Sequence, residues 1–309
     1  MSELPRQGKK LNHPHALSKE MKLAIFAHCT IDTINLKGIT YEQIGGSACY
    51  CGITAREFKF DVELHTRFGD DFPSQYLLDH KINMVGAQSQ SPTTRFSIEI
   101  SNADRVLKLE NRCDDIQYDS TSADGFLVSP ICNEISHDVF SRIKRDASFV
   151  LTDPQGFLRA VDQQKNIFLK KTCLDLSGID AIKVNCDEGM HITGNTSDEM
   201  AKSLQKRGVK HVIFTDKTKV SMLVEDKIYS ITLPNKEVHD TTGIGDIFCS
   251  TFCCTMLKEK DFLWALCFAG GAAQAALNSK QIGLKKIPKK GEIETNASYF
   301  YNLVKFRTV

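Results

Sequence analysis

DTTGIGDIFCSTF, residues 240–252, is the stretch on which the reading turns. Its first seven residues hold two glycines, Gly243 and Gly245, and end on Asp246; the next six have a helical texture. Glycines at the mouth of a helix leave backbone N–H groups unblocked and pointed at one spot. Together with the helix dipole those amides make an anion site. A carboxylate beside such a site admits two readings. In one, Asp246 removes the proton from an attacking hydroxyl while the Gly243, Ile244 and Gly245 amides hold charge developing on a phosphoryl group. General-base assistance of that kind contributes roughly 100- to 10,000-fold, and the amides supply preorganised electrostatics. In the other, the glycines only make a turn and Asp246 only caps a helix.

Outward from this run, apolar segments suited to buried strands lie at residues 22–27, 62–66, 125–128, 148–152, 181–184 and 211–215. Segments of helical periodicity lie among them, at 74–79, 138–143 and 198–206. This alternation predicts an α/β fold: a doubly wound, mostly parallel sheet flanked by helices on both faces. Two stretches break the rhythm. Residues 34–43 form a short polar extended segment with Gly38, and residues 93–112 alternate as a hairpin around the turn at 101–104. They fit either a small β-sheet projecting as a lid or a plain surface hairpin. Residues 244–257 and 262–277 read as two long helices, the second lined with small residues such as Ala269, Gly270, Gly271 and Ala272. Close approach of another helix and close approach of a flat ligand both explain that texture.

The length of 309 residues suits one large α/β domain with an appendage. Residues 1–20 are polar and read as a flexible leader, which leaves 21–309 as the folded domain. With 39 basic and 38 acidic side chains the net charge is +1, so no global field gathers nucleic acid or an anionic membrane. The 11 cysteines show no two-residue metal-knuckle spacing and fit reduced, buried thiols. No secretory signal and no membrane-spanning apolar run is present, and the expected compartment is the cytoplasm. Phosphate loops of the Gly-x-x-x-x-Gly-Lys type, dinucleotide fingerprints after the first strand, nucleophile elbows and His-Glu-x-x-His helices are all missing from the sequence.

The TTGIGD run at 241–246 resembles the C-terminal signature of the ribokinase-like carbohydrate kinases, the PfkB family. Further landmarks follow in register. Gly45 and Gly46 match the paired glycines of the N-terminal signature, which serve as a lid hinge. Asp32 lies where family members hold substrate hydroxyls, and residues 68–71 resemble the family's Gly-Asp-Asp turn. Asn185 and Glu188 match an Asn-x-x-Glu motif, which implies hydrated Mg²⁺ beside the triphosphate. Thr215 and Thr242 stand where the family contacts nucleotide phosphates. The resemblance covers residues 21 to about 290. It implies ATP and Mg²⁺, a lid built from about 33–44 and 92–113, and a homodimer, since lids in the family often pair between subunits.

Departures bear on the substrate. Tyr50 replaces the asparagine with which many members grip sugar hydroxyls, and no glycine follows Thr215 in residues 216–219. A phenol offers one hydroxyl and an apolar face, so a cyclic polyol such as inositol, or a hexose, is expected over ribose or adenosine. The alternative is that Tyr50 turns into the core. Arg159 fits either a phosphate or an anionic substrate, or a surface carboxylate; Arg95 on the hairpin is a second candidate facing the substrate. The expected activity is ATP-dependent phosphorylation of a hydroxyl on a sugar, polyol or inositol. A nucleoside kinase of the same family, and a catalytically silent ligand-binding relative, are the alternatives.

Overall fold

The computed structural model of the chain describes residues 20–36, 38–101, 104–234 and 240–309. The expected leader falls almost wholly outside these residues. In chain order the first elements are β1 (Lys22–Phe26), β2 (Thr30–Leu36), β3 (Ile39–Gly45), α1 (Gly46–Glu57), β4 (Asp61–His65), α2 (Gln75–Asp79) and β5 (Ile82–Val85). Next come β6 (Thr94–Ser101), β7 (Asp104–Asn111), β8 (Gly125–Val128), α3 (His137–Asp146), β9 (Val150–Thr152), α4 (Gln155–Leu158), β10 (Arg159–Val161) and β11 (Ile167–Leu169). The remainder holds β12 (Ala181–Asn185), α5 (Cys186–Thr193), α6 (Ser197–Lys206), β13 (His211–Asp216), β14 (Lys219–Val224) and β15 (Lys227–Thr232). Last are α7 (Ile244–Glu259), α8 (Phe262–Asn278), α9 (Lys290–Leu303) and β16 (Lys305–Thr308).

Ten strands form one sheet in the order β16-β15-β14-β13-β12-β9-β8-β1-β4-β5. From β13 to β5 every pair is parallel, and β14, β15 and β16 add an antiparallel edge. The parallel strands are apolar on both faces, as burial under two helical layers requires. Leu23 and Ile25 of β1 join one core with α1, α7, α8 and α9, while Ala24 and Phe26 join the other with α3, α5 and α6. This is the doubly wound arrangement expected from the alternation. Strand order reverses between β1 and β8, and such a switch point opens a crevice at the carboxyl ends of the strands.

Over that crevice stands a four-stranded sheet, β3-β2-β6-β7, with β2 parallel to β6 and the outer pairs antiparallel. It uses both stretches that broke the strand–helix rhythm. Ile34, Phe96 and Ile98 pack on Ile131 and Cys132, which anchors it to the main body. The loop after β8 is itself stapled by Glu134. That buried carboxylate accepts the backbone N–H groups of His28 (3.1 Å), Ile131 (2.8 Å) and Cys132 (2.7 Å). His28, Cys132 and Glu134 lie close enough to suggest a metal cluster, but the carboxylate is taken by amides. Both ring nitrogens of His28 are also engaged, by Thr94 Oγ1 and the Asp114 carbonyl at 2.9 Å.

The small residues of α8 face protein. A Cβ on Gly271 would stand 2.9 Å from Ala297 N and Ile293 O of α9, and Gly270 abuts Ile231 of β15. Close helix packing therefore accounts for the texture read from the sequence. Gly271→Ala should cost about 1–3 kcal/mol through overpacking, because the obstructing atoms are backbone. Thermal unfolding checks it; a melting temperature equal to that of the unsubstituted protein would contradict the packing.

Candidate active site

The crevice narrows to a cavity of about 280 Å³ under the four-stranded sheet. The four-stranded sheet lines it with Phe96, Ile98 and Leu107 and, on β2 beside Phe96, with Asp32; the main body carries Asp153, Lys183, Glu188 and Asp246. A larger cleft, about 900 Å³, lies between β15, β16 and α9, but among the described residues no acidic side chain lines it. The convergent chemistry is in the smaller cavity.

Four helices begin at its walls: α1 with Gly46 and Ser47, α4 with Gln155, α5 with Glu188, and α7 with Gly245 and Asp246. The two longest, α1 and α7, each bring roughly half a positive charge and unpaired N–H groups to one place. Gly243 precedes α7 in the left-handed region, φ 74°, and a Cβ there would stand 2.5 Å from the Tyr50 ring. Only glycine satisfies both the angle and the approach. Gly46 is constrained likewise, with φ +79° and a Cβ position that collides with the His28 carbonyl. Gly45 presses on Asp32, whose Oδ2 lies 2.9 Å from its would-be Cβ.

Asp246 is buried in the first turn of α7, where Ser47 Oγ donates to Oδ1 at 2.5 Å and Ser129 Oγ lies at 3.5 Å. Burial raises its pKa to about 6, opposed by the Ser47 hydrogen bond, supported by nearby Asp153 and opposed again by Lys183. A carboxylate with that poise can take a proton from a hydroxyl near neutral pH. Lys183 donates to Asp153 Oδ2 at 3.0 Å. Burial alone would lower Lys183, but Asp153 and then Glu188 outweigh it and hold the ammonium above its usual range.

Asn185 and Glu188 form a reciprocal capping box at the start of α5: each side chain accepts the other's backbone N–H at 2.8 Å. Glu188 Oε2 is thereby committed, while Oε1 accepts no hydrogen bond among the described residues. Burial raises Glu188, against the pull of Lys183. One carboxylate oxygen beside a resident ammonium fits a hydrated divalent cation contacted through water, and is too little for an all-protein cage.

The structure brings Asp32, Gly46, Tyr50, Arg159, Asn185, Glu188, Thr242, Gly243, Gly245 and Asp246 to the cavity wall. Arg159 donates to the Ile131 carbonyl (2.8 Å) and Gln155 Oε1 (2.7 Å), which fixes it beside the cavity. Tyr50 is 1% exposed, packed between Gly243 and Lys286. The hydroxyls of Thr30, Tyr50 and Thr242 are buried without a hydrogen-bond partner among the described residues. Thr215 pairs with Asn185 across β13 and β12 at the same level of the sheet but does not line the cavity. Arg95 is not brought to it either: its guanidinium is engaged by Glu42 at 3.0 Å and Asp71 at 2.9 Å.

Ser47, Gln155 and Lys183 are additions that the sequence reading passed over. Lys183 left a signal, since a lysine inside a buried parallel strand needs a partner. Asp153, directly after β9, is a further addition.

Comparison with known proteins gives three findings. The model for "pfkB family carbohydrate kinase" matches residues 42–290. Curated proteins yield no match. Solved structures with similar folds include a pyrophosphate-dependent kinase in the ribokinase family complexed with a pyrophosphate analog and myo-inositol, at TM-score 0.77 and 18% identity, over 88% of this chain and 99% of that one. Ribokinase from Arabidopsis thaliana, complexed with ribose and ATP, superposes at TM-score 0.71 and 17% identity over 90% of this chain and 99% of its own. Ribokinase from Thermotoga maritima gives 0.73 and 19% over 90% and 99%.

The raised pKa of Asp246 makes a stability prediction. With a folded value of about 6 against an ordinary 3.8, the folded state binds more protons between those values. Its stability therefore falls as pH rises through that window. Above it the cost is on the order of 3 kcal/mol. Asp246→Asn keeps an acceptor for Ser47 and removes the buried charge. At about pH 8 it should melt higher by roughly 5 °C, with the gain shrinking as pH falls through about 6. A lower melting temperature at the alkaline condition would contradict the assignment.

Proposed function

The chain belongs to the pfkB family of carbohydrate kinases, and from that premise we propose that it transfers the γ-phosphate of ATP to a hydroxyl of a cyclic polyol or sugar, with Asp246 as general base. The observation that carries this reading is the Asp246 carboxylate, buried at the mouth of α7, raised to about 6 and set beside the Gly243 and Gly245 amides.

The acceptor lies between the four-stranded sheet, which offers Phe96, Ile98 and Leu107 beside Asp32, and the polar main body, an arrangement suited to a ring with apolar faces and hydroxyl edges. Asp32 accepts hydrogen bonds from its hydroxyls, and the hydroxyls of Thr30 and Thr242 gain the partners they lack. The reacting hydroxyl sits against Asp246, which takes its proton as the oxygen attacks the γ-phosphorus in line and the bond to the β-phosphate oxygen breaks. Backbone amides of Gly243 and Gly245 and the α7 dipole stabilise the equatorial oxygens; the Ile244 N–H, expected to join them, is held by the Thr241 carbonyl at 3.4 Å. Arg159 and Lys183 place positive charge along the donor's path. Asn185 and Glu188 would hold Mg²⁺ through water, and the ion would offset phosphate charge when bound. The four-stranded sheet acts as the lid, hinged at Gly45 and Gly46, and keeps water from the donor.

Pyrophosphate as donor is the second reading. β13 enters β14 through only Lys217 and Thr218, which leaves little backbone beside Thr215 to hold a nucleoside. One of the similar structures is of a pyrophosphate-dependent kinase.

Initial rates for myo-inositol, fructose, ribose and adenosine, each with ATP and with pyrophosphate, decide among these readings. The expected result is a kcat/KM for myo-inositol or fructose at least about tenfold above ribose and adenosine, with ATP the better donor. A win for ribose or adenosine overturns the acceptor, a win for pyrophosphate overturns the donor, and no turnover with any pair overturns the enzyme reading.

The pH profile is a second check. Asp246 must be ionised to act, so kcat/KM should fall about tenfold per pH unit below about 6. Ser47→Ala removes the hydrogen bond that lowers Asp246, and should move the acid limb to higher pH. An unmoved or lowered limb would exclude the Ser47–Asp246 link.

A further inference from the structure

The four-stranded sheet has two edges: β3, which ends at Gly45, and β7 on the opposite side. The β7 edge is not open, because the main-body hairpin β10–β11 lies along it. The Leu109 N–H of β7 donates to the Lys165 carbonyl at 3.0 Å, and Lys108 pairs antiparallel with Asn166. The Lys165 ammonium reaches the Glu110 carboxylate at 2.9 Å and the Glu110 carbonyl at 3.3 Å. Ile167 packs against the cluster of Phe96, Ile98 and Ile131. The hairpin starts at Arg159, the residue fixed beside the cavity. Its turn is strained at one place. Lys165 stands at φ 67°, in the left-handed region that a side chain disfavours. Asp162 holds the turn there: Oδ1 accepts the N–H groups of Gln164 and Asn166 at 2.8 Å, and Oδ2 accepts the Asn166 side-chain amide at 2.9 Å. Strain kept in place by a dedicated staple calls for a use. Glycine would relieve the angle, but it would leave Glu110 without its cation.

We propose that the β10–β11 hairpin is a releasable catch for the lid, with Lys165 and Glu110 as its positioning pair. A sheet hinged at Gly45 and Gly46 cannot swing away from the main body without parting β7 from the hairpin at the opposite edge. Among the described residues the contacts to be parted are few: the Leu109 hydrogen bond, the Lys108–Asn166 bridge, the packing of Ile167 and an ion pair whose partners are 54% and 42% exposed. Exposed pairs of that kind hold weakly. The catch therefore opens without unfolding its surroundings, as a lid that admits and releases ligand requires. Closed, it keeps Phe96, Ile98 and Leu107 over the acceptor and keeps water from the donor. The inference rests on the reading of the four-stranded sheet as the lid of a phosphoryl-transfer site.

Leu109 gives a readout independent of turnover, since its N–H is bonded to Lys165 only while the hairpin lies against the lid. Its hydrogen exchange is followed by NMR in the full-length chain, with the β12 amides as the reference for global opening. Lys165→Gly, which suits the left-handed angle, and Glu110→Gln should each speed exchange at Leu109 at least about fivefold and leave β12 unchanged. The exchanged pair, Lys165→Glu with Glu110→Lys, should restore the slow rate. With ATP and an acceptor, the two single variants should lose the γ-phosphate to water at least about threefold more often per acceptor phosphorylated, and the acceptor KM should rise. Leu109 exchange at the unsubstituted rate in both single variants overturns the catch, whether or not the protein is a kinase. Faster exchange with an unchanged partition between acceptor and water reduces the hairpin to a cover for the β7 edge and overturns its action on the lid. Faster exchange, restored in the exchanged pair, in a chain that phosphorylates no acceptor supports the catch and removes the kinase reading instead.

Discussion

Removing a carboxylate from water at the head of a helix costs free energy that the neighbouring groups must offset, and much of this site's layout follows from doing so for Asp246. The helix dipole and the Ser47 hydroxyl favour its charge, and Lys183 and Arg159 act in the same direction, while Asp153 and burial act against it. The balance leaves the group near neutrality. Complete neutralisation would give an inert ion pair; without any of these partners the acid would stay protonated. The arrangement needs α1 and α7 to begin at the same point, and the close approach of Tyr50 to Gly243 brings them there.

The sheet supplies the rest of the geometry. Asp153, Lys183 and Asn185 sit at or near the carboxyl ends of β9 and β12, where strands in parallel register present side chains at one level. Because Lys183 and Asn185 are two residues apart on β12, they face the same side, toward α7. The opposite face of the same strand carries Ile182 and Val184 into the second core. Packing of one face and chemistry of the other are thus set by the same alternation.

The local parts of this design were legible in the sequence. The parallel strands are legible in their apolar runs, and the Gly243–Asp246 turn in its spacing, as either an anion site or a cap; the resemblance favours the first and singles out Asn185 and Glu188. Contacts between distant segments were not legible: Ser47 with Asp246, Lys183 with Asp153, Lys286 with Asp240. Arg95 shows the converse, a residue on the expected element whose charge is met by Asp71 and Glu42. The antiparallel edge also escaped the reading, for a physical reason. Its turns place Lys217 and Glu225 at positive φ, 51° and 52°, where glycine or asparagine usually marks a hairpin.

The most direct test of the account is the titration of Asp246 itself, followed by the ¹³C resonance of its side-chain carboxyl and assigned by its loss in Asp246→Asn. Burial among the groups named here predicts a midpoint near the value of about 6, shifting upward in Ser47→Ala. A midpoint at the ordinary aspartate value of about 4 would contradict it, and the poised base on which the proposed function depends would be gone.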